Sequence, residues 1–396
     1  MKRQGSALDN ISPGQFIDLS KSCMSCRKET VNGTTYLSFG SAQGETVHIA
    51  AKISSAPFQT VVVEFNGKTS CIENPEGFLS VEFFDAEDVR IGSAYKGRVL
   101  GVSRCGYHRY GYIAPPGTAY GKVLVVTDGA TEITLANVRV YCLDCVPRRG
   151  RNGMMLDAHL GMLMIAPRNV MESFELAPRA GFETLITNVN ASSDGVLVAL
   201  HNDTVDETSN GNGSVSDFSY EELQKLDFGG WFNGVYADVR IPKLEAVTRF
   251  ASASGMHLIY RMHRKWADPD HDNYTNEIYH YIKRYGMVGK ATLKVFNHKE
   301  IDYYREIFGK DVAYIYCTPA LPTDEQIAWA AKFDGDITLE PKYKVVTEEF
   351  CEKCIAAGVK MSSYIVNDMA VMRKLFLMGI TRFCTDTYSD IVFPLD

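Results

Sequence analysis

Residues 291–316 read ATLKVFNHKEIDYYREIFGKDVAYIY, and this stretch contains the repeating unit of the second part of the chain. An apolar run at 291–296 is followed by an amphipathic helical pattern at 299–308 and then by a second apolar run at 312–316. Short apolar runs are typical of buried strands, while apolar residues spaced three and four apart form the inner face of a helix. The stretch therefore predicts a strand, a helix and a second, parallel strand.

The same alternation extends over residues 151–396. The other predicted strands are Met154–Leu156, Thr184–Val189, Val196–Leu200, Met256–Met262, Ile337–Leu339, Lys360–Val366 and Arg382–Thr385. The other predicted helices are Val170–Ala180, Lys243–Ala253, Asn276–Tyr285, Asp324–Lys332, Val346–Ala357 and Met369–Met378. This length and repeat number fit a (β/α)₈ TIM barrel better than an open sheet. Chemistry is then expected at the carboxyl ends of the strands.

Residues 1–150 have a different pattern, in which short β-type runs alternate with turn residues. The runs at 61–65 and 122–126 are followed by Asn66-Gly67 and Asp128-Gly129, turns that connect antiparallel strands. We expect an all-β sandwich here, joined through a linker at 147–153 to the α/β barrel at 151–396. Residues 114–141 resemble the last strands of carbohydrate-binding jelly-roll modules, which implies a carbohydrate or interaction partner.

Aromatic side chains in this first part have two interpretations. Tyr107, Tyr110 and Tyr112 either stack on a sugar face or lie in the core or an interface.

Composition excludes some classes of function. The 396-residue chain carries a formal net charge of −7 and no basic block, which argues against a nucleic-acid partner. The N-terminus shows no secretory signal, and no apolar run approaches the roughly 18 residues that span a bilayer. We therefore expect a protein without a membrane span that is cytoplasmic or assembled into a phage-type particle.

Ten cysteines include three Cys-x-x-Cys pairs. Cys23/Cys26 and Cys142/Cys145 lie near the two ends of the predicted sandwich, where the first and last strands are often neighbours. One interpretation is a structural zinc held by these four thiolates, and the other is reduced thiols that pack as small apolar residues. The pair at 351 and 354 falls in a helical pattern and favours the second interpretation.

Six short motifs recur in a fixed order along the second part. They are His159 followed after a seven-residue gap by Pro167-Arg168-Asn169, Ser193-Asp194-Gly195 leading to His201, Gly230-Trp231-Phe232, Ile241-Pro242-Lys243, Ile365-Val366-Asn367-Asp368, and Thr385-Asp386. This order resembles the glycerophosphodiester phosphodiesterase family, whose pattern runs His-Arg-Gly, a gap, then Pro-Glu-Asn-Thr. The resemblance implies a phospholipase C-like TIM barrel that cleaves glycerophosphodiesters with a divalent cation and two histidines.

Carried over residue by residue, the resemblance keeps the histidines and loses the metal ligands. His159 and His201 match the acid/base positions. The positions of the three metal-binding carboxylates hold Ile186, Asn188 and, on the predicted fourth strand, Arg261. Asp157 has the parity to add one carboxylate, but one carboxylate and one amide suit calcium or magnesium poorly, because these cations prefer several charged oxygens. We therefore predict no metal ligands in this pocket, and calcium or magnesium is the disfavoured alternative.

The replacements also change the predicted charge of the pocket. Arg168 stands where the family has glutamate, and Leu160 where it has arginine. Because guanidinium groups bind phosphate directly, a cation site becomes an anion site. This is similar to the bacterial phosphatidylinositol-specific phospholipases C, in which an arginine takes the place of the cation beside two histidines.

That similarity implies roles for the remaining candidates. A histidine deprotonates the substrate's own neighbouring hydroxyl, Arg261 stabilises the phosphorane, and Asp157 orients His159. The predicted phosphate- and substrate-binding residues are Arg168, Arg261, Asn188, Asn169 and Trp231.

Three functions remain open from the sequence. The first is an active phosphodiesterase that uses no metal or a weakened metal site. The second is an inactive barrel that still binds a phosphodiester. The third is a structural part of a phage tail or baseplate that recognises glycerophosphate-type polymers.

Overall fold

The computed structural model describes residues 17–18, 26–31, 34–39, 46–56, 59–69, 78–98, 106–115, 117–127, 132–143, 154–262, 267 and 269–386. These residues form two compact units, one within residues 1–150 and the other within residues 151–387. Across these ranges, no helix is long and apolar enough to cross a bilayer.

The first unit consists of antiparallel strands. They are β1 (Ile17–Asp18), β2 (Arg27–Val31), β3 (Thr34–Phe39), β4 (Thr46–Ser54), β5 (Thr60–Thr69), β6 (Phe78–Phe84), β7 (Arg90–Arg98), β8 (Gly106–Ile113), β9 (Tyr120–Thr127) and β10 (Ile133–Leu143). One sheet has the order β2-β3-β10-β5-β8 with β1 beside β10, and the other has the order β4-β9-β6-β7. If the eight strands from β3 to β10 are numbered 1 to 8, the order of neighbouring strands is 1-8-3-6 in one sheet and 2-7-4-5 in the other. This order is jelly-roll topology. The all-β prediction is confirmed.

Individual predictions for this unit have different outcomes. Tyr112 is 3% exposed and belongs to the core, so it does not offer a face to a sugar. Cys142 is buried and its thiol contacts the carbonyl oxygen of Ser54 at 3.4 Å. The side chains of Tyr107 and Tyr110 and the whole of Cys23 and Cys145 lie outside the described residues, so the sugar and zinc predictions stay predictions.

The second unit is a closed barrel of eight parallel strands. In barrel order the strands are β11 (Met155–Ala158), β12 (Thr184–Asn188), β15 (His257–Arg261), β16 (Ala291–Val295), β17 (Ala313–Thr318), β18 (Ile337–Pro341), β19 (Lys360–Ser363) and β20 (Arg382–Thr385). The α-helices are α1 (Met171–Arg179), α2 (Tyr220–Leu223), α3 (Leu244–Ala253), α4 (Asp272–Arg284), α5 (His298–Phe308), α6 (Asp324–Lys332), α7 (Glu348–Ala356) and α8 (Met369–Leu377). The TIM-barrel prediction is confirmed.

One predicted barrel strand is wrong. Within the run 196–200, only Leu197–Val198 is extended (β14), and it pairs with Asn190–Ala191 (β13) in a separate hairpin. A short apolar run has the same pattern in a hairpin as in a barrel, so periodicity cannot separate the two. Consequently β15 is the third barrel strand, and Arg261 ends the third strand rather than the fourth.

The barrel interior is layered. Side chains alternate inward and outward along each strand, and the inward ones fill the barrel. An apolar cluster lies across the interior, formed by Leu160, Ile186, Ile259, Ile315, Cys317 and Cys384. The candidate site residues lie around and above this cluster, at the carboxyl ends of the strands.

Candidate active site

The two histidines come from different parts of the chain. His159 directly follows β11 at the carboxyl end of the barrel, and His201 follows the β13–β14 hairpin in the excursion after β12. The two rings are near enough to interact electrostatically, and Arg261 and Arg168 also act on His201. The structure therefore brings both predicted histidines and both arginines together.

The turn after His159 has a demanding backbone. Leu160 and Gly161 both have positive φ, at 59° and 88°. A Cβ on Gly161 would lie 2.4 Å from the Ser173 hydroxyl oxygen, and that oxygen accepts a hydrogen bond from the Met162 N–H at 2.7 Å. Because only glycine fits this approach, the turn holds the loop against α1 and sets the direction in which His159 enters the pocket.

Asp386 orients His159. Its Oδ1 lies 2.8 Å from His159 Nδ1, while Asn367 Nδ2 donates to Oδ2 at 2.7 Å and Asn367 Oδ1 accepts from the Asp386 N–H at 2.8 Å. A carboxylate can only accept here, so it selects the tautomer with hydrogen on Nδ1. The ring therefore presents Nε2 to a ligand.

The prediction that Asp157 orients His159 is wrong. Asp157 is fully buried, and both of its oxygens accept from Arg382 Nε, at 3.0 and 2.8 Å. Asp157 and His159 are two residues apart and therefore point to the same face of β11. Asp157 lies deeper in the barrel, where its register partner on β20 is Cys384. Asp386 was overlooked although Thr385-Asp386 belongs to a family motif. Closure of the barrel places the end of β20 beside the end of β11. A motif at the end of the last predicted barrel strand is therefore the signal that identifies Asp386 as a partner of His159.

The environment of His201 favours the neutral form of its imidazole ring. Its Nδ1 lies 2.5 Å from Asn202 Oδ1, an amide oxygen that accepts and so leaves Nε2 as the proton-accepting nitrogen. Burial lowers the pKa of His201, and the positive charges of Arg261 and Arg168 lower it further against the opposing effect of Asn202. His201 therefore stays unprotonated at a lower pH than an ordinary histidine does.

Arg261 is a cation without an acidic ion-pair partner among the described residues. Its guanidinium carbon lies 4.6 Å from the centroid of the Phe296 ring. Burial lowers its pKa, and the ionisable groups that oppose this are Cys317, Cys384 and Tyr364. Among the residues that the structure describes, no Asp or Glu forms an ion pair with Arg261. An uncompensated guanidinium at the barrel mouth attracts anions.

Arg168 differs from Arg261 because it is already paired. Its Nη2 donates to Glu207 Oε2 at 2.9 Å, and its Cζ lies 5.8 Å from the Trp231 ring centroid. Trp231 is 43% exposed, and its Nε1 donates to the Phe228 carbonyl oxygen at 2.9 Å. The fixed, exposed indole is a surface on which the alcohol part of a substrate can pack.

Asn169 and Asn188 form a buried amide pair. Asn188 N–H donates to Asn169 Oδ1 at 3.3 Å, and Asn169 Nδ2 donates to Asn188 Oδ1 at 3.1 Å. Both side chains are 2% exposed, and Asn188 is the register partner of Arg261 on the neighbouring strand. The predicted contact residues Asn169, Asn188 and Arg261 are therefore adjacent.

The residues at the predicted cation position do not fit a divalent metal. Ile186 packs in the apolar cluster beside Ile259, its register partner on β15. The side-chain oxygen of Asn188 already accepts from Asn169. Within the described ranges, no group of three or more His, Cys, Asp or Glu side chains is arranged to hold a metal ion. Hard cations require several oxygen donors, and this position offers none that is uncommitted.

A buried ion pair lies in the barrel interior and was not anticipated. Lys294, the register partner of Arg261 on β16, contacts Glu340 of β18. Their side chains are 4% and 0% exposed, and the Lys294 ammonium lies 5.3 Å from the centroid of the Tyr364 ring. Lys294 lies within one predicted strand and Glu340 directly follows another, so only the closed barrel reveals the pairing.

Comparison with known proteins identifies the family of the second unit. Residues 159–389 match the glycerophosphoryl diester phosphodiesterase family. A glycerophosphodiester phosphodiesterase of Caldanaerobacter subterraneus is 28% identical over 231 residues, which cover 58% of this chain and 92% of that protein. One from Bacillus subtilis is 26% identical over 257 residues, covering 59% and 83% respectively.

Solved structures share the barrel fold. A phosphodiesterase from Oleispira antarctica, in complex with the product sn-glycerol-3-phosphate, has a TM-score of 0.53 and 22% identity, covering 59% of this chain and 92% of that one. A glycerophosphodiester phosphodiesterase from Agrobacterium tumefaciens has a TM-score of 0.51 and 20% identity, covering 59% and 97%. With a family match over more than half of its residues, the chain belongs to the glycerophosphoryl diester phosphodiesterase family.

Proposed function

We propose that the barrel cleaves glycerophosphodiesters without a bound divalent cation, with His201 and His159 transferring protons and Arg261 neutralising the phosphate. One observation carries this proposal. Two histidines, each with Nδ1 engaged by an oxygen, interact electrostatically with each other, and His201 also interacts with a guanidinium that has no acidic partner among the described residues.

The roles of the two histidines follow from their partners. His201, whose pKa is lowered by burial and by both arginines, is the base that takes the proton from the attacking hydroxyl at Nε2. The attacking oxygen is the glycerol's own neighbouring hydroxyl, and it forms a bond to phosphorus. His159 enters this step as the imidazolium, with one hydrogen on Nδ1 held by Asp386 and a second on Nε2. It donates the Nε2 proton to the leaving alcohol oxygen as the phosphorus–oxygen bond breaks.

This step releases the alcohol and leaves a cyclic phosphodiester. Water then opens the ring by the reverse proton transfers, with His159 as base and His201 as acid, and regenerates the starting protonation states. In both steps Arg261 stabilises the additional negative charge on the non-bridging oxygens of the phosphorane.

The substrate class is supported by the relatives. The family and the proteins that this chain resembles are named for glycerophosphodiesters, and the Oleispira structure contains sn-glycerol-3-phosphate. In this chain, Trp231 supplies an exposed face for the glycerol or alcohol part and Arg261 supplies the charge for the phosphate.

A direct assay tests the proposal. Purified full-length protein is incubated with a glycerophosphodiester in EDTA, and the released alcohol is measured. We expect turnover that survives chelation, falls at least about 100-fold in His201→Ala, and is unchanged in His280→Ala, an exposed histidine of α4. Absence of turnover both in EDTA and with added calcium, magnesium or manganese would refute catalysis by this barrel.

A second candidate function is favoured by apolar residues at two positions where the family has a metal-binding carboxylate and an arginine. Ile186 and Leu160 pack together with Ile259, which is also what a barrel would show after losing catalysis and keeping a binding role. Such a barrel would hold glycerophosphate-type polymers. It predicts that glycerol 3-phosphate raises the melting temperature while no alcohol is released in the assay above.

A further inference from the structure

The orientation of the Asn169–Asn188 pair can be deduced from hydrogen-bond chemistry. The backbone N–H of Asn188 can only donate, so the Asn169 atom that it contacts must be the amide oxygen. The other end of the Asn169 amide is then the NH₂ group, which can only donate. The Asn188 atom that receives this bond must therefore be Oδ1.

This deduction leaves one group of Asn188 uncommitted. With Oδ1 turned toward Asn169, the Nδ2 group of Asn188 is directed away from its partner. Asn188 lies on the inward face of β12, next to Arg261 in register and two residues beyond Ile186. The amide donor and the guanidinium therefore border the same space at the end of the barrel.

The described surroundings of this space are apolar on one side and offer Arg261 no ion-pair partner. Beneath it lies the apolar cluster of Leu160, Ile186 and Ile259, and no carboxylate among the described residues pairs with Arg261. Hydrogen bonds and charges act more strongly beside apolar groups than in water, because the local dielectric is lower.

We propose that Asn188 Nδ2 and the Arg261 guanidinium together bind a non-bridging phosphate oxygen, so that the position of a metal ligand has become an anion site. Asn169 is the positioning residue that sets this polarity, because it holds the Asn188 oxygen away from the anion. The inference deepens the proposed function but depends on it only for the identity of the ligand, since phosphate binding is measurable without turnover.

Calorimetry with inorganic phosphate tests the site. The full-length protein is titrated in EDTA, and glycerol 3-phosphate is titrated in parallel. We expect the wild type to bind both ligands. Asn188→Leu, which removes the donor, should weaken binding about tenfold, and Asn188→Asp, which also adds a negative charge beside Arg261, about 100-fold. Asn273→Asp, an exposed position of α4, adds the same charge outside the pocket and should bind as the wild type.

A variant of Asn169 tests the positioning role. In Asn169→Asp both side-chain oxygens are acceptors, so the Asn188 amide must turn its NH₂ group toward Asp and its oxygen toward the anion. Phosphate binding should then weaken at least about tenfold. If the effect acts through Asn188, it shrinks in the Asn188→Leu background, whereas a purely electrostatic effect persists there unchanged. Circular dichroism and melting temperature establish that each variant is folded.

The possible outcomes separate this inference from the proposed function. Phosphate binding that depends on Asn188, without any turnover, supports the anion site and refutes catalysis. Turnover without such dependence refutes the anion site, as does wild-type affinity for phosphate in folded Asn188→Asp. Micromolar binding of calcium to the wild type, measured without EDTA, would also overturn it.

Discussion

Replacing Lys294 by methionine removes one partner of the ion pair in the barrel interior. The remaining Glu340 is 0% exposed, and a buried carboxylate without its cation is poorly solvated. Breaking such a pair costs about 3–5 kcal/mol of unfolding free energy. For a unit of this size, about 2 °C per kcal/mol converts this loss into a fall in melting temperature of roughly 6–10 °C.

The matched control is the double variant Lys294→Met/Glu340→Leu. With both charges gone and the volume largely kept, the unfolding free energy should return to within about 1–2 kcal/mol of the wild type. Burial alone would lower the pKa of Lys294, but Glu340, Cys317 and Cys384 together raise it above the ordinary lysine value. A lysine whose pKa is higher in the folded than in the unfolded protein stabilises the fold fully at pH values below its unfolded-state pKa. This stabilisation is lost only as the pH rises through the folded-state pKa. The effect should therefore be the same at about pH 6 and pH 8.

Tryptophan fluorescence provides the measurement. Trp231, Trp266 and Trp329 are the three tryptophans of the chain, and all belong to the second unit, so a urea titration reports on the barrel alone. The reasoning is refuted if Lys294→Met loses less than about 1 kcal/mol, or if the double variant is as unstable as the sum of the two single variants.

Three further predictions follow from the site. Asp157→Leu should lower the unfolding free energy by about 3–5 kcal/mol, since it leaves the largely buried Arg382 guanidinium without its carboxylate, while the kcat of the folded fraction changes less than about threefold. A loss of kcat without destabilisation would restore the role of orienting His159 that the structure denies to Asp157. Asp386→Asn should reduce kcat about 10- to 100-fold at an unchanged melting temperature, because it removes the charge from the hydrogen bond to His159 Nδ1. A kcat equal to that of the wild type would exclude the role of Asp386 in orienting His159. Because burial and two arginines lower the pKa of His201, the acidic limb of the kcat/KM profile should lie below the ordinary histidine pKa of about 6.5. In Arg261→Gln this limb should move to higher pH, and a limb that stays in place would contradict the electrostatic argument.

Much of the barrel could be read from the sequence, because strand and helix patterns are local. The predicted helix at 324–332 and the strand at 382–385 have the bounds that the structure shows. The order of the motifs along the chain located His159 and Asn169, and this order can be read without coordinates.

What the sequence determined by itself was the alternation of elements, the family pattern, and the replacement of carboxylates by Ile186, Asn188 and Arg261. Only the tertiary structure decided which groups meet. Closure of the barrel brought Asp386 to His159, paired Asp157 with Arg382, joined Lys294 to Glu340 and removed the run at 196–200 from the strand count. The physical reason is that contacts between strands depend on register and on the inward face of each strand, and residues 227 positions apart, such as His159 and Asp386, carry no local signal of either.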